Sequence, residues 1–269
     1  MNTVRDLRRG GGYRCVVLLA CSVAMHAAAQ PGSAEVSAAE TLLFETDHLA
    51  GVAAPATLVY EFRRVSNLDP GFSDKVQLDL AGAKGKVSAT LHFLSGTNKV
   101  DLPALDEAHG NPVLLGFLER DIAEMKRLTG GSTAYFRKRL RMALAQEAQL
   151  SSQRITYQGK TLQAQAVRIQ PYLHDPMHAR FEQYINKTYT FIVSSGVPGG
   201  VYQLRSSLEN RGRPQPGTTL ASMTVGGTPA PDKNGQGAKT PAPGLAALPE
   251  IDETLTLISA VQHQAQRTP

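Results

Sequence analysis

The chain has 269 residues, 42% of them hydrophobic, 19% charged and 6% aromatic, with no Trp and two Cys. That composition excludes a wholly disordered chain, a collagen and a small disulfide-stapled scaffold, and the length suffices for a self-supporting core. Of the formal net charge of +5, a surplus of three lies in the first 29 residues, so the remainder is nearly neutral and gives no reason to expect nucleic acid as a partner.

In those first residues Arg5, Arg8, Arg9 and Arg14 precede an apolar run from Cys15 to Met25, and Ala27-Ala28-Ala29 supplies a small-residue junction. This is the layout of a secretory signal peptide cleaved after Ala29, its apolar part too short for a finished transmembrane helix. A second reading takes Leu18-Leu19-Ala20-Cys21 as a lipoprotein signal with Cys21 acylated. Both readings place the protein in the periplasm. Both cysteines fall in the leader, so a chain cut there has no thiol for a disulfide, a metal or a nucleophile. No later stretch reaches transmembrane length.

Ser37 and Glu40 have capping-box spacing and predict a short helix before Gly51. From Ala56 the period changes to two. Leu58, Tyr60 and Phe62, then Val76, Leu78 and Leu80, then Val87, Ala89, Leu91 and Phe93 alternate with polar residues, and turn chemistry at 67–71 and 81–85 separates them: a three-stranded meander. Asn111-Pro112 opens a helix in which Leu114, Leu118, Ile122 and Met125 form a stripe as far as Gly130-Gly131. Ser132 caps a second helix carrying Phe136, Leu140, Ala143 and Leu144. Strands follow at 150–158 and 161–170, a hairpin turning at Gln158-Gly159-Lys160, and at 184–193 and 201–208 on either side of the turn-rich segment 194–200. Residues 211–249, rich in Pro, Gly, Thr and Ala, read as a flexible insertion, and 254–258 as a closing strand that pairs back into the sheet.

No constellation establishes catalysis. His174 and His178 have the i, i+4 spacing of helical metal ligands, but Pro171 and Pro176 argue against a helix there, and His109 and Asp175 are third ligands only by residue type. Ser194 or Ser195 with His92 and Asp79 makes a nucleophile set on paper, without a nucleophile-elbow motif. Asp101, Asp106 and Glu107 cluster in a loop with nothing to fix their separation for glycoside chemistry. No catalytic residue, metal or cofactor is therefore assigned. Arg137, Lys138, Arg139 and Arg141 make the second helix basic, a contact for headgroups or an acidic partner, unless it is a solvated face balanced by Glu119, Asp121 and Glu124.

The order of helix, three strands, two helices and further strands resembles the half-barrel of periplasmic lipoprotein carriers and the related outer-membrane acceptors. That resemblance implies a strongly curved antiparallel sheet closed by helices and holding acyl chains. Asn111-Pro112-Val113-Leu114-Leu115-Gly116-Phe117-Leu118-Glu119, Arg127-Leu128-Thr129-Gly130-Gly131 with Tyr135-Phe136-Arg137, and Val197-Pro198-Gly199-Gly200-Val201-Tyr202 are similar to an uncharacterised family of exported proteobacterial proteins.

The expectation is an α+β domain over 30–269: one curved antiparallel sheet of about eight strands, a half-barrel, with a central helical hairpin packed on it. Such a sheet offers more apolar surface than two helices can roof. An apolar or lipid-like ligand is therefore expected between them, lined by Tyr60, Phe62, Val76, Leu78, Leu91, Phe93, Leu118 and Ile122. The alternatives are an envelope protein-interaction module with a filled core, docking through the basic helix, and a hydrolase of unknown substrate.

Overall fold

The computed structural model describes residues 36–83, 86–209 and 248–263. The leader, with Cys15 and Cys21, and nearly all of the 211–249 insertion lie outside the described residues.

The chain is an α+β protein with one eight-stranded antiparallel sheet that does not close into a barrel. Its strands are β1 (Ala56–Ser66), β2 (Phe72–Ala83), β3 (Lys86–Phe93), β4 (Gln149–Tyr157), β5 (Lys160–Ile169), β6 (Thr188–Val193), β7 (Val201–Leu208) and β8 (Ile251–Gln262). The spatial order is β3-β2-β1-β8-β7-β6-β5-β4. The closing strand thus bridges the two meanders, and the insertion joins strands that are hydrogen-bonded neighbours.

Period-two alternation puts one apolar set on one face of each strand, and antiparallel register aligns those sets across the sheet. Phe93 opposes Val76, Val76 opposes Tyr60 and Tyr60 opposes Leu257; a second row runs Phe62, Leu255, Leu204, Phe191, Val167. Register shifts at Val59/Tyr60 and Ile192/Val193 interrupt the ladders. At one edge, β3 is covered by bridges from Val100 and Leu105. The strand predicted from residue 184 starts only at Thr188, because Glu182–Tyr184 forms a 3-10 turn after the one at His178–Arg180.

Three helices complete the fold. The capping box forms as its spacing requires. Ser37 Oγ accepts from the Glu40 N–H, and the Glu40 carboxylate accepts from the Ser37 N–H, at the start of α1 (Ala38–Glu40), which runs on into a wider π-helical turn, Thr41–Glu45. Asn111 Oδ1 accepts from the Val113 N–H at 3.1 Å and caps α2 (Val113–Thr129). Gly130, at φ +71°, ends it in the left-handed conformation that glycine adopts without strain. Ser132 then caps α3 (Thr133–Gln146).

Helix α2 lies so close to β3 that a Cβ on Gly116 would stand 2.4 Å from Phe93 Cδ2 and 3.0 Å from Leu91 Cδ2. This glycine is required by contact rather than by backbone angle. The apolar stripes of α2 and α3 and the inner faces of the strands belong to one continuous core.

Candidate binding site

The eight residues expected to line a ligand, Tyr60, Phe62, Val76, Leu78, Leu91, Phe93, Leu118 and Ile122, are all buried in that core, and Leu118, at 8%, is the most exposed of them. They pack on one another and on α2: the Phe62 and Phe93 rings meet edge to face at 6.5 Å, and the Gly116 contact leaves no layer for a hydrocarbon chain between α2 and β3.

Part of the space between helix and sheet is taken by charges that the sequence reading assigned to solvent. Asp121, expected on the outside of its helix, is 1% exposed. Its carboxylate accepts from Lys187 Nζ at 2.5 Å, Ser206 Oγ at 2.9 Å and the Tyr189 hydroxyl at 2.5 Å. One residue earlier, Arg120 donates to Glu253 Oε1 at 2.7 Å, which Arg64 also engages, and its guanidinium lies 4.9 Å from the Phe62 ring centre. Glu124 accepts from Arg64 and Arg127. Burial pushes its carboxyl up, but the arginines outweigh that and hold it down at about 2. Adjacent positions of α2 thereby clamp β1, β6, β7 and β8.

The basic helix is likewise partly consumed. Arg137 pairs with Glu119 at 2.7 Å, and Arg139 with the buried Asp175 at 2.8 Å, while Asp175 also accepts from the Tyr135 hydroxyl and from the Met177 N–H. Only Lys138 and Arg141 of the four stand exposed with no partner among the described residues.

The paper nucleophile set is not assembled. His92 and Asp79 face each other at 3.3 Å on β3 and β2, whereas Ser194 follows β6, with β1, β8 and β7 between, and donates its hydroxyl to the Gln163 carbonyl at 2.5 Å. Glu107 pairs with Lys86, and Asp101 with Lys99 at 2.7 Å, both on the surface. His174 and His178 are exposed, and His178 Nδ1 lies 2.8 Å from the Asp175 carbonyl. Among the described residues no three His, Cys, Asp or Glu side chains gather as metal ligands.

A cavity lies elsewhere. A cleft of about 770 Å³ opens between the segment after α1 and the end of the sheet where β5, β6 and the 194–200 turn meet. Leu42, Ala164, Val193, Val197 and Pro198 supply apolar surface. Ser152, Gln163, Gln165 and Ser195 add uncharged polar side chains, exposed and without hydrogen-bond partners among the described residues. Register explains this wall: Gln165 is opposite both Ser152 and Val193, so polar and apolar groups share one face where the helices no longer cover it.

Two walls of the cleft are tied together behind it. His48, 8% exposed, places Nε2 3.0 Å from the Leu42 carbonyl and Nδ1 3.5 Å from the Asn111 amide nitrogen. Asn111 Nδ2 donates to the Gly199 carbonyl at 2.7 Å and to the Tyr60 hydroxyl at 2.9 Å. Burial pushes the His48 ring below the usual imidazole range, against weaker opposing pulls from the Leu42 carbonyl and the Asp47 carboxylate. Asp47, at the mouth, is held below its ordinary range chiefly by the hydrogen bond with His109, at 3.0 Å. With both ring nitrogens facing backbone groups, His48 offers no base to the cavity. The arrangement can therefore hold a molecule by apolar contact and neutral hydrogen bonds, but presents no activated nucleophile.

Sequence reasoning missed this site because its lining comes from four separate segments and matches no motif. The one local signal was Gly199-Gly200, which the structure uses at φ +74° and +70° to press the turn against Leu58 and His48. No protein-family model and no curated protein matches the chain.

Proposed function

We propose that the protein is a non-catalytic periplasmic binding protein for an amphipathic, lipid-like ligand held in the cleft beside the 194–200 turn. The observation that carries this reading is the make-up of the cleft: an apolar base next to four partnerless, uncharged polar side chains, at a volume within the range of small-molecule sites. An alkyl portion rests on Leu42, Val193 and Val197, and a neutral head meets the amides and hydroxyls. Among the described residues the only charged lining group is Asp47, which disfavours anionic heads.

A half-barrel with α2 and α3 as a central hairpin on its inner side belongs to the same proposal. Its support is that the Tyr202 hydroxyl on β7 donates to the Thr156 carbonyl on edge strand β4, three strands away, at 3.1 Å. In a flat sheet those strands lie about 14 Å apart, so strong curling accounts for the contact. The envelope-docking alternative rests on Lys138 and Arg141 alone, since Arg137 and Arg139 are engaged within the molecule.

Native mass spectrometry of delipidated protein with a monoacylglycerol, a lysophosphatidylglycerol and a diacylated lipopeptide tests the reading. One-to-one capture of the uncharged lipid, lost in Gln165→Trp, is the expected outcome. No capture of any of the three, or capture unaffected by filling the cleft, removes the site.

A further inference from the structure

The polar residues behind the cleft hold a regulatory feature of that same site, so the inference rests on the binding reading above. We infer that His48 is a protonation-sensitive latch: neutral, it pins the segment after α1 to the head of α2, which Asn111 ties to the 199–200 turn, and a second ring proton releases the segment.

The hydrogen bonding specifies the ring's state. Nε2 faces a carbonyl oxygen at 3.0 Å, and only an N–H can satisfy that contact. Nδ1 faces a backbone N–H at 3.5 Å, so it must present a bare lone pair. The neutral Nε2–H tautomer meets both demands. A proton added at Nδ1 would set two donors against each other.

The ring cannot turn away from that conflict. A Cβ on Gly200 would fall 2.7 Å from His48 Cδ2, so the turn already sits against the ring edge. Relief requires the Leu42–Gly51 segment to part from the head of α2, and so from the turn that Asn111 ties to it. Both line the cleft, Thr46, Asp47, His48 and Gly51 from one side and Val197 to Gly200 from the other, so the same movement widens the mouth.

Other charged and titratable groups stand near the ring. On the ring's own segment Glu45 is exposed, and Asp47 is shared with His109 of the loop before α2. The 194–200 turn and the β5 wall, Gln163 to Gln165, contribute no titratable group. Behind Asn111, from β1, stands Tyr60, which burial keeps neutral. Asp47 favours the protonated ring, but burial outweighs it. Opening therefore takes up one proton, and its equilibrium constant rises by up to about tenfold for each pH unit below about 6.5.

Hydrogen–deuterium exchange of the full chain at pH 7.5 and 5.5, corrected for intrinsic rates, reads this directly. Amides of 41–51 and 194–201 should exchange up to about tenfold faster at pH 5.5, with β2 and β3 unchanged. His48→Gln, whose side-chain amide donates and accepts without titrating, should exchange alike at both pH values. A wild-type pattern that does not change with pH, or the same pH response in His48→Gln, overturns the latch. Should that variant not fold, nitrogen NMR of the wild-type ring decides: a proton on Nε2 alone at pH 7.5 supports the latch, and a proton on Nδ1 contradicts it. Exchange is measured on the protein without ligand. Its failure would remove the latch and leave binding untouched, whereas failed lipid capture would remove the ligand reading and leave the latch.

Discussion

Neutralising Asp121 should be among the most damaging single changes in this protein, although it lies on a helix whose neighbouring acidic residues look like ordinary surface. Lys187 is 0% exposed and Asp121 1%, so Asp121→Asn leaves an ammonium in the core with no anion, compensated by no more than the neutral Asn carbonyl oxygen and the Tyr189 ring at 5.6 Å. Breaking one side of such a pair costs about 3–5 kcal/mol, a large share of a total stability of about 5–15 kcal/mol. The reverse change, Lys187→Met, should cost less, about 1.5–3 kcal/mol, because the carboxylate keeps the Tyr189 and Ser206 hydroxyls as donors. Replacing both, Asp121→Leu with Lys187→Met, removes the buried charge altogether and should return to within about 2 kcal/mol of wild type. Urea unfolding followed by circular dichroism measures all three and completes a double-mutant cycle. Equal costs for the two single variants, or a loss below about 1 kcal/mol for Asp121→Asn, would refute the claim that this pair is desolvated and asymmetrically supported.

Gly116→Val should destabilise by about 1–3 kcal/mol through overpacking against Phe93 and Leu91, visible as a lowered Tm with unchanged secondary structure. Gln158, at φ +47° in the β4–β5 turn ahead of Gly159, is a residue type poorly suited to that angle; Gln158→Asn should gain about 0.5 kcal/mol in the same melt. Glu124 has its carboxyl lowered from 4.5 to about 2, so it contributes stability above pH 4.5 that is lost as pH falls towards 2; Glu124→Gln should flatten that part of the acid-unfolding curve. Among the basic residues of α3, Arg139→Glu should impair folding by placing like charge beside the buried Asp175, whereas Lys138→Glu and Arg141→Glu should change stability by no more than about 0.5 kcal/mol, read from urea unfolding.

The first three strands were readable because each carries an apolar alternation, and Leu58, Val76 and Leu91 fall on one face as that period demands. The helix starts were equally explicit, since Ser37, Asn111 and Ser132 make the caps their spacing foretold. Two things were hidden for physical reasons. Arg120 and Asp121 are charged neighbours on a helix, ordinarily a sign of solvent. Their partners Glu253, Lys187, Tyr189 and Ser206 come from 66 to 133 positions away, and no local pattern announces such pairing. The apolar surplus that suggested a hollow under the helices is filled instead by Phe62, Phe93 and the clamped charges. The free cavity arises where Gln165 and Ser152 interrupt the apolar face at the sheet's far end, which only the register reveals.

The central claim is that a lipid-like molecule with an uncharged head occupies the cleft beside the 194–200 turn. Titrating a short-chain monoacylglycerol into isotope-labelled protein and following backbone amide shifts tests it most directly. Saturable changes confined to residues 46–51, 163–165 and 193–200 are predicted. Saturable changes centred on Leu78, Leu91 and Ile122 in the core, or none at any site, would contradict it.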